Sequence, residues 1–312
     1  MNNKIEIARL PAEKQVRLAR DVLERLNHPE DPQDTIRNIL RLIRQATGFE
    51  AVGLRLQEGD DFPYFETSGF PRHFVLAERY LCERTEAGGV LRDSRGNPVL
   101  ECMCGNVIRG RTNPSKPFFT RGGSFWTNCT TELLASTTVE DRKARTRNRC
   151  NGEGYESVAL IPLRSDGESI GLLQLNDRRR DLFTEEMIQF LEGLGASIGI
   201  ALARKRADEQ VQALNTRLAE TEEAERKRFA QVLHDEVGQD LTTLGLNLNL
   251  VRDALSGAPP PVLGRFDDSI RLVEGVAGRI RRFMEDLHPA VLEDYGLAAA
   301  INWYLDHFAK RT

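Results

Sequence analysis

The sequence predicts an α+β domain built on an antiparallel sheet, followed by a long helix and an all-α hairpin. Three observations carry this. Up to about residue 204 the patterns run helix, strand, strand, a long middle, strand, strand, helix, an α+β order. From Ala201 to Val237 neither glycine nor proline interrupts a helical pattern, which is long for a globular helix. Beyond it, two stripes of apolar residues spaced by three or four flank a break at Ser256–Pro261.

The elements follow in order. Leu10 to Leu26 is amphipathic and ends at Pro29–Pro32; Thr35 to Thr47 carries Ile36, Ile39, Leu40 and Ile43 on one stripe. Strand signals follow at Ala51–Leu56 and, after a turn, at Tyr64–Thr67. Ser157–Leu163 and Ile170–Leu175 read as a hairpin about a Ser165–Glu168 turn. Thr184 is an N-cap for a helix that buries Met187, Leu191, Leu194 and Ile198.

With 312 residues, 40% hydrophobic and 29% charged, the chain has a globular composition. A net charge of −4 gives no reason to expect a nucleic-acid or anionic-membrane partner. No apolar run reaches the roughly 20 residues of a membrane helix, and the first residues lack a signal peptide's apolar core. A cytoplasmic location is expected, so the five cysteines, all between Cys82 and Cys150, read as thiols or ligands.

Residues 30–204 resemble a GAF domain, a sensory module, in element order and in the run from Ser157 to Leu202. The resemblance implies an antiparallel sheet with its first and last helices on one face. Residues 1–29 form a preceding helix, and 205–228 a signalling helix with Leu214 and Leu218 on a coiled-coil seam. The alternative is a single solvated helix.

Residues 229–312 form the last domain. Phe229, Leu233, Val237, Leu241, Leu244, Leu248, Val251 and Leu255 make one stripe. Val262, Phe266, Ile270, Val273, Val276, Ile280, Phe283 and Leu287 make the other, stopped by His288–Pro289. One hairpin buries such stripes poorly, so a homodimeric four-helix bundle is expected. The run Glu225–Leu241, with Arg226, Arg228, Leu233, His234, Asp235, Gly238 and Gln239, resembles the phosphoacceptor segment of the nitrate-sensor type of histidine kinase. Leu287–Ile301 resembles the segment that follows the second helix there. Arg226, Lys227 and Arg228 either attract an acidic partner or solvate the helix.

The chemistry is consistent with that resemblance. An imidazole is nucleophilic when neutral and titrates near physiological pH. His234 lies beside the stripe, and Asp235 is placed as base or orienter. The resemblance implies that His234 accepts the phosphoryl group and that Gln239 positions a water for dephosphorylating a response regulator receiver domain. ATP and Mg²⁺ belong to an ATP-binding domain whose glycine-rich lid and asparagine box do not appear in this sequence, so a truncated end is expected.

The cysteines are a separate question. If Cys102-Met103-Cys104 is extended, both thiols face one side. With Cys150 and Cys129 they supply soft ligands for Zn²⁺ or an iron–sulfur cluster; the alternative is reduced, partly buried thiols. The arginine-rich stretch Arg145–Ser157 either binds an anion or salt-bridges its own domain, and His73 is a haem-ligand candidate or a capped surface histidine. The expected function is the sensory and phosphoacceptor part of a two-component kinase, with a ligand or redox signal read by the GAF domain. The alternative is a non-catalytic ligand- or metal-binding dimeric sensor.

Overall fold

The structure, a computed structural model, describes residues 10–28, 31–85, 88–142, 146–255, 257–287 and 290–311. The chain divides into two compact units, Met1–Asp208 and Glu209–Thr312.

The first unit opens with α1 (Ala12–Leu26) and α2 (Pro32–Thr47). Asp31 caps α2 by accepting from the backbone N–H of Gln33 and Asp34, Pro32 starts it, and left-handed Gly48 (φ 71°) ends it. β1 (Ala51–Leu56) and β2 (Tyr64–Ser68) follow. The middle region supplies α3 (Arg72–Ala77), α4 (Cys102–Ile108), β3 (Phe125–Thr127), α5 (Thr130–Ser136), α6 (Val139–Arg142) and α7 (Arg149–Gly152). β4 (Ser157–Ser165) and β5 (Glu168–Asp177) form the expected hairpin. Its turn residues Asp166 and Gly167 both have positive φ, 51° and 83°, as a type I′ turn requires. α8 (Glu185–Val232) begins here, with Thr184 Oγ1 accepting from Met187 N–H at 3.3 Å.

The sheet is wholly antiparallel in the order β2-β1-β5-β4-β3. Because side chains alternate along a strand, its two faces differ. One presents Val52, Leu54 and Leu56, Ala159, Ile161 and Leu163, and Leu173 and Leu175 to the stripes of α1, α2 and α8. α1 contributes Leu18 and Val22 to this core, so the N-terminal helix belongs to the first unit and is no separate segment. The opposite face carries Ala51, Val158, Leu160 and Leu172, packed against the middle region, together with buried Arg55, Gln174 and Asn176. α8 lies unusually near β4: a Cβ on Gly199 would sit 2.6 Å from the carbonyl oxygen of Arg164, and only glycine permits that approach.

In the second unit α8 gives way to a π turn at Leu233–Gly238, then to α9 (Gln239–Ala254), α10 (Pro260–Leu287) and α11 (Ala290–Arg311). The first helix ends at Ala254, just before the break at Ser256–Pro261, and Pro260 and Pro261 sit in the first turn of α10, where a missing N–H is harmless. The His288–Pro289 stop lies outside the described residues. Among the described residues one helical run, Glu185–Ala254, is long and apolar enough to cross a membrane by length and composition only; 44% of its most apolar window is buried within the chain, as in a core helix.

Candidate functional site

Two places carry the predicted site residues. The first is in the helical unit. His234 and Asp235 are exposed within the π turn. A groove of about 350 Å³ is lined by His234, Gly238, Gln239 and Thr242 on one side and by Arg281 and Met284 of α10 on the other. A π turn bonds residues five apart, which draws His234 and Gln239 toward one side. Gln239 shares this groove with His234, and Asp235 is absent from its lining. Among the described residues the two neighbours share no hydrogen bond, since consecutive helical side chains diverge by about 100°.

The second place is the cleft on the polar face of the sheet. Cys102, Cys104 and Cys150 line one cavity with Phe125, Leu133 and Arg142. The extended reading of Cys102–Cys104 is overturned, because Cys102 opens α4. On a regular helix residues two apart point about 200° from each other. Cys102 departs from this through a left-handed φ of 64°, and both thiols line the same cavity. A polar contact with the Cys104 thiol, with the backbone N–H groups of Arg147 and Met103, outweighs burial and holds Cys102 down at about 7. The same contact and burial raise Cys104. Burial pushes Cys150 up to about 12, and burial with Asp61 pushes Cys82 to about 12.

Cys129 is elsewhere: it caps α5, accepting from Glu132 N–H, and donates to Glu156 at 3.4 Å. Among the described residues no three His, Cys, Asp or Glu side chains gather as a metal site.

The arginine-rich stretch turns on its own domain. Arg147 binds Glu101 at 2.7 Å and Arg149 reaches Glu78 at 3.1 Å. His73, exposed, meets Glu153 at 2.6 Å. Sequence reasoning missed Arg55. Fully buried, it donates to the carbonyls of Phe62 (3.0 Å) and Glu78 (2.6 Å), and its guanidinium stacks 3.6 Å from the Tyr64 ring centre. Tyr64 in turn donates to Gln174 at 2.8 Å. The available signal was a polar residue interrupting an apolar strand, as in Gly-Leu-Arg-Leu and Leu-Leu-Gln-Leu.

A sheet domain with a polar cleft, joined to helices that display a histidine in a groove, defines a sensor with a phosphoacceptor segment. A GAF domain model matches residues 31–202, more than half of the chain, and the chain belongs to the GAF domain family. A histidine kinase model matches residues 225–292, covering His234, the π turn and α10. The chain is 35% identical over 109 residues to sensor histidine kinase MctS of Rhizobium johnstonii, covering 35% of this chain and 24% of that protein. It is 31% identical over 153 residues to sensor histidine kinase YhcY of Bacillus subtilis, covering 49% and 38%. It is 30% identical over 155 residues to signal transduction histidine-protein kinase/phosphatase UhpB of Salmonella typhimurium, covering 47% and 31%. The matches thus span from 24% to 38% of the length of these relatives. The chain is a homologue of sensor histidine kinases, and in it the GAF match precedes the histidine kinase match.

Proposed function

We propose that this chain is the sensing and phosphoacceptor portion of a homodimeric two-component kinase, with His234 as the group phosphorylated. The observation that carries the reading is the exposed imidazole of His234 at the mouth of the α10 groove, beside Gln239. A neutral ring nitrogen attacks the γ-phosphorus of ATP; a P–N bond forms, the bridging P–O bond breaks and ADP departs. ATP and Mg²⁺ come with an ATP-binding domain of the kind the resembled family carries, and the task there is positioning and charge neutralisation. Asp235, one residue on, takes the role of base or orienter by drawing the ring proton once the ring turns toward it. The groove also gives Gln239 a place to hold a water against phosphohistidine's acceptor, the receiver domain of a response regulator.

The dimer is supported by the helical unit itself, whose stripes stay largely open in one chain. Input is proposed to travel along β4. Val158 and Leu160 face the cleft while Ile161 and Leu163 face the helices, among them α8. A change in the cleft thus meets the packing of α8 through one strand.

The test is phosphotransfer. The chain is mixed with an ATP-binding domain from a relative and γ-labelled ATP. Acid-labile label is expected on the wild type and absent from His234→Gln, with circular dichroism and oligomeric mass unchanged. Label that persists in His234→Gln would sink the assignment. A folded dimer that takes no label would leave the non-catalytic sensor as the better reading.

A further inference from the structure

The cleft holds groups that phosphotransfer does not use. Cys102 and Cys104 stand two residues apart in α4, on the wall of one cavity of about 60 Å³. That is far below the roughly 300 Å³ of an ordinary ligand pocket. It admits a molecule of a few atoms. Cys102 is half-buried and faces the cavity, while Cys104 behind it is buried. Its left-handed backbone is the kind of strain that persists where surrounding structure enforces it.

We infer that Cys102 and Cys104 form a peroxide-responsive dithiol, in which Cys102 is oxidised first and Cys104 resolves it to a Cys102–Cys104 disulfide. The Cys102 sulfur attacks one peroxide oxygen; an S–O bond forms, the O–O bond breaks, and the other oxygen leaves with a proton as water, or as alcohol from an organic peroxide. The Cys104 sulfur then attacks the sulfenic sulfur. An S–S bond forms, the S–O bond breaks, and the leaving hydroxide takes the Cys104 proton as water. Two thiols lose two electrons and the peroxide gains them.

The surroundings fit those roles. Cys102 follows Glu101, which holds Arg147 at 2.7 Å, so a guanidinium charge acts on the Cys102 sulfur. Low-pKa, reachable thiols next to a resolving thiol are the ones that oxidise. Cys150 shares the cavity but is engaged from the sheet: Gln174 donates to its sulfur at 3.8 Å, and Asn176 is a second partner. It is therefore not the resolving thiol. Only the naming of this dithiol as a kinase input rests on the proposed function; its chemistry does not.

The experiment uses the full chain, reduced, then treated with stoichiometric hydrogen peroxide, alkylated and digested with trypsin. Residues 96–109 form one tryptic peptide holding Cys102 and Cys104 and no other cysteine. That peptide is expected to lose two hydrogens and resist alkylation, while the peptides of Cys82, Cys129 and Cys150 stay alkylated. Cys104→Ser should leave a sulfenic acid that a dimedone probe tags at Cys102. A Cys102–Cys150 cross-link in the wild type, equal oxidation of all five thiols, or a stoichiometric metal on the isolated protein would each overturn the inference. The wild-type mapping needs no variant to fold. Phosphotransfer is not read, so a failed dithiol is distinguishable from a failed kinase assignment.

Discussion

The two units use the same amphipathic helices and finish them differently. In the sheet domain the stripe of α2, Ile36, Ile39 and Ile43, is fully buried against the sheet. In the helical unit, equivalent stripe residues Leu244, Val251 and Phe283 remain 47%, 45% and 57% exposed, and among the described residues only Ile270 counts as buried. Exposed apolar surface of this extent marks an interaction face. The first unit closes its core within one chain; the second leaves its stripes partly open. The same amphipathic pattern closes a core only where a sheet lies against it.

The largest way to break that comparison is at the open stripe. Leu244→Asp together with Val251→Asp puts charges where a second copy would pack. Sedimentation is expected to show complete loss of the dimer with the sheet domain still folded; a variant that stays dimeric would show the stripe is no interface. Next comes the closed core. Ile39→Ala is expected to cost about 2–5 kcal/mol, read as a shifted urea midpoint in the sheet-domain transition, with dimer affinity unchanged.

A smaller effect is expected at the α8–β4 approach. Gly199→Ala places a methyl against the Arg164 backbone, an overpacking of about 1–3 kcal/mol. If the sheet domain's thermal midpoint does not fall, α8 and β4 are less tightly joined than their geometry implies. The smallest is electrostatic. Burial alone would raise the Glu156 carboxyl, but bonds from the Thr131 backbone, Arg180, the Thr131 hydroxyl and the Cys129 thiol outweigh it and hold it at about 2, below its ordinary 4.5. A depressed carboxyl stabilises above the unfolded value and loses that contribution as pH falls through the folded one. Glu156→Gln should therefore lower stability at neutral pH and flatten the fall between pH 4.5 and 2. Identical acid-unfolding curves for the two proteins would refute it.

Much of this was legible in the residues. β1 was read at its observed bounds, Ala51–Leu56, because an apolar run between turn signals has few other homes. The Ser165–Glu168 turn and the Thr184 cap were legible for the same local reason. β3 was missed because three residues carry no period, and its pairing with Val158–Leu160 is made by distant chain. The π turn was missed because its sequence, Leu233–Gly238, fits an α-helical stripe equally well. An extended Cys102–Cys104 was one condition for both thiols facing one side; they do line one cavity, but from a helix that opens on one left-handed residue.

The sequence by itself determined the order of elements, the two apolar stripes of the hairpin and the place of His234 beside the first of them, since these depend on local spacing. Only the tertiary structure decided that Gln239 shares the His234 groove, and that Arg55, Gln174 and three thiols gather on one face of the sheet. Those neighbours are far apart in the chain or sit where the backbone departs from its regular period, so no periodic reading of residues can bring them together.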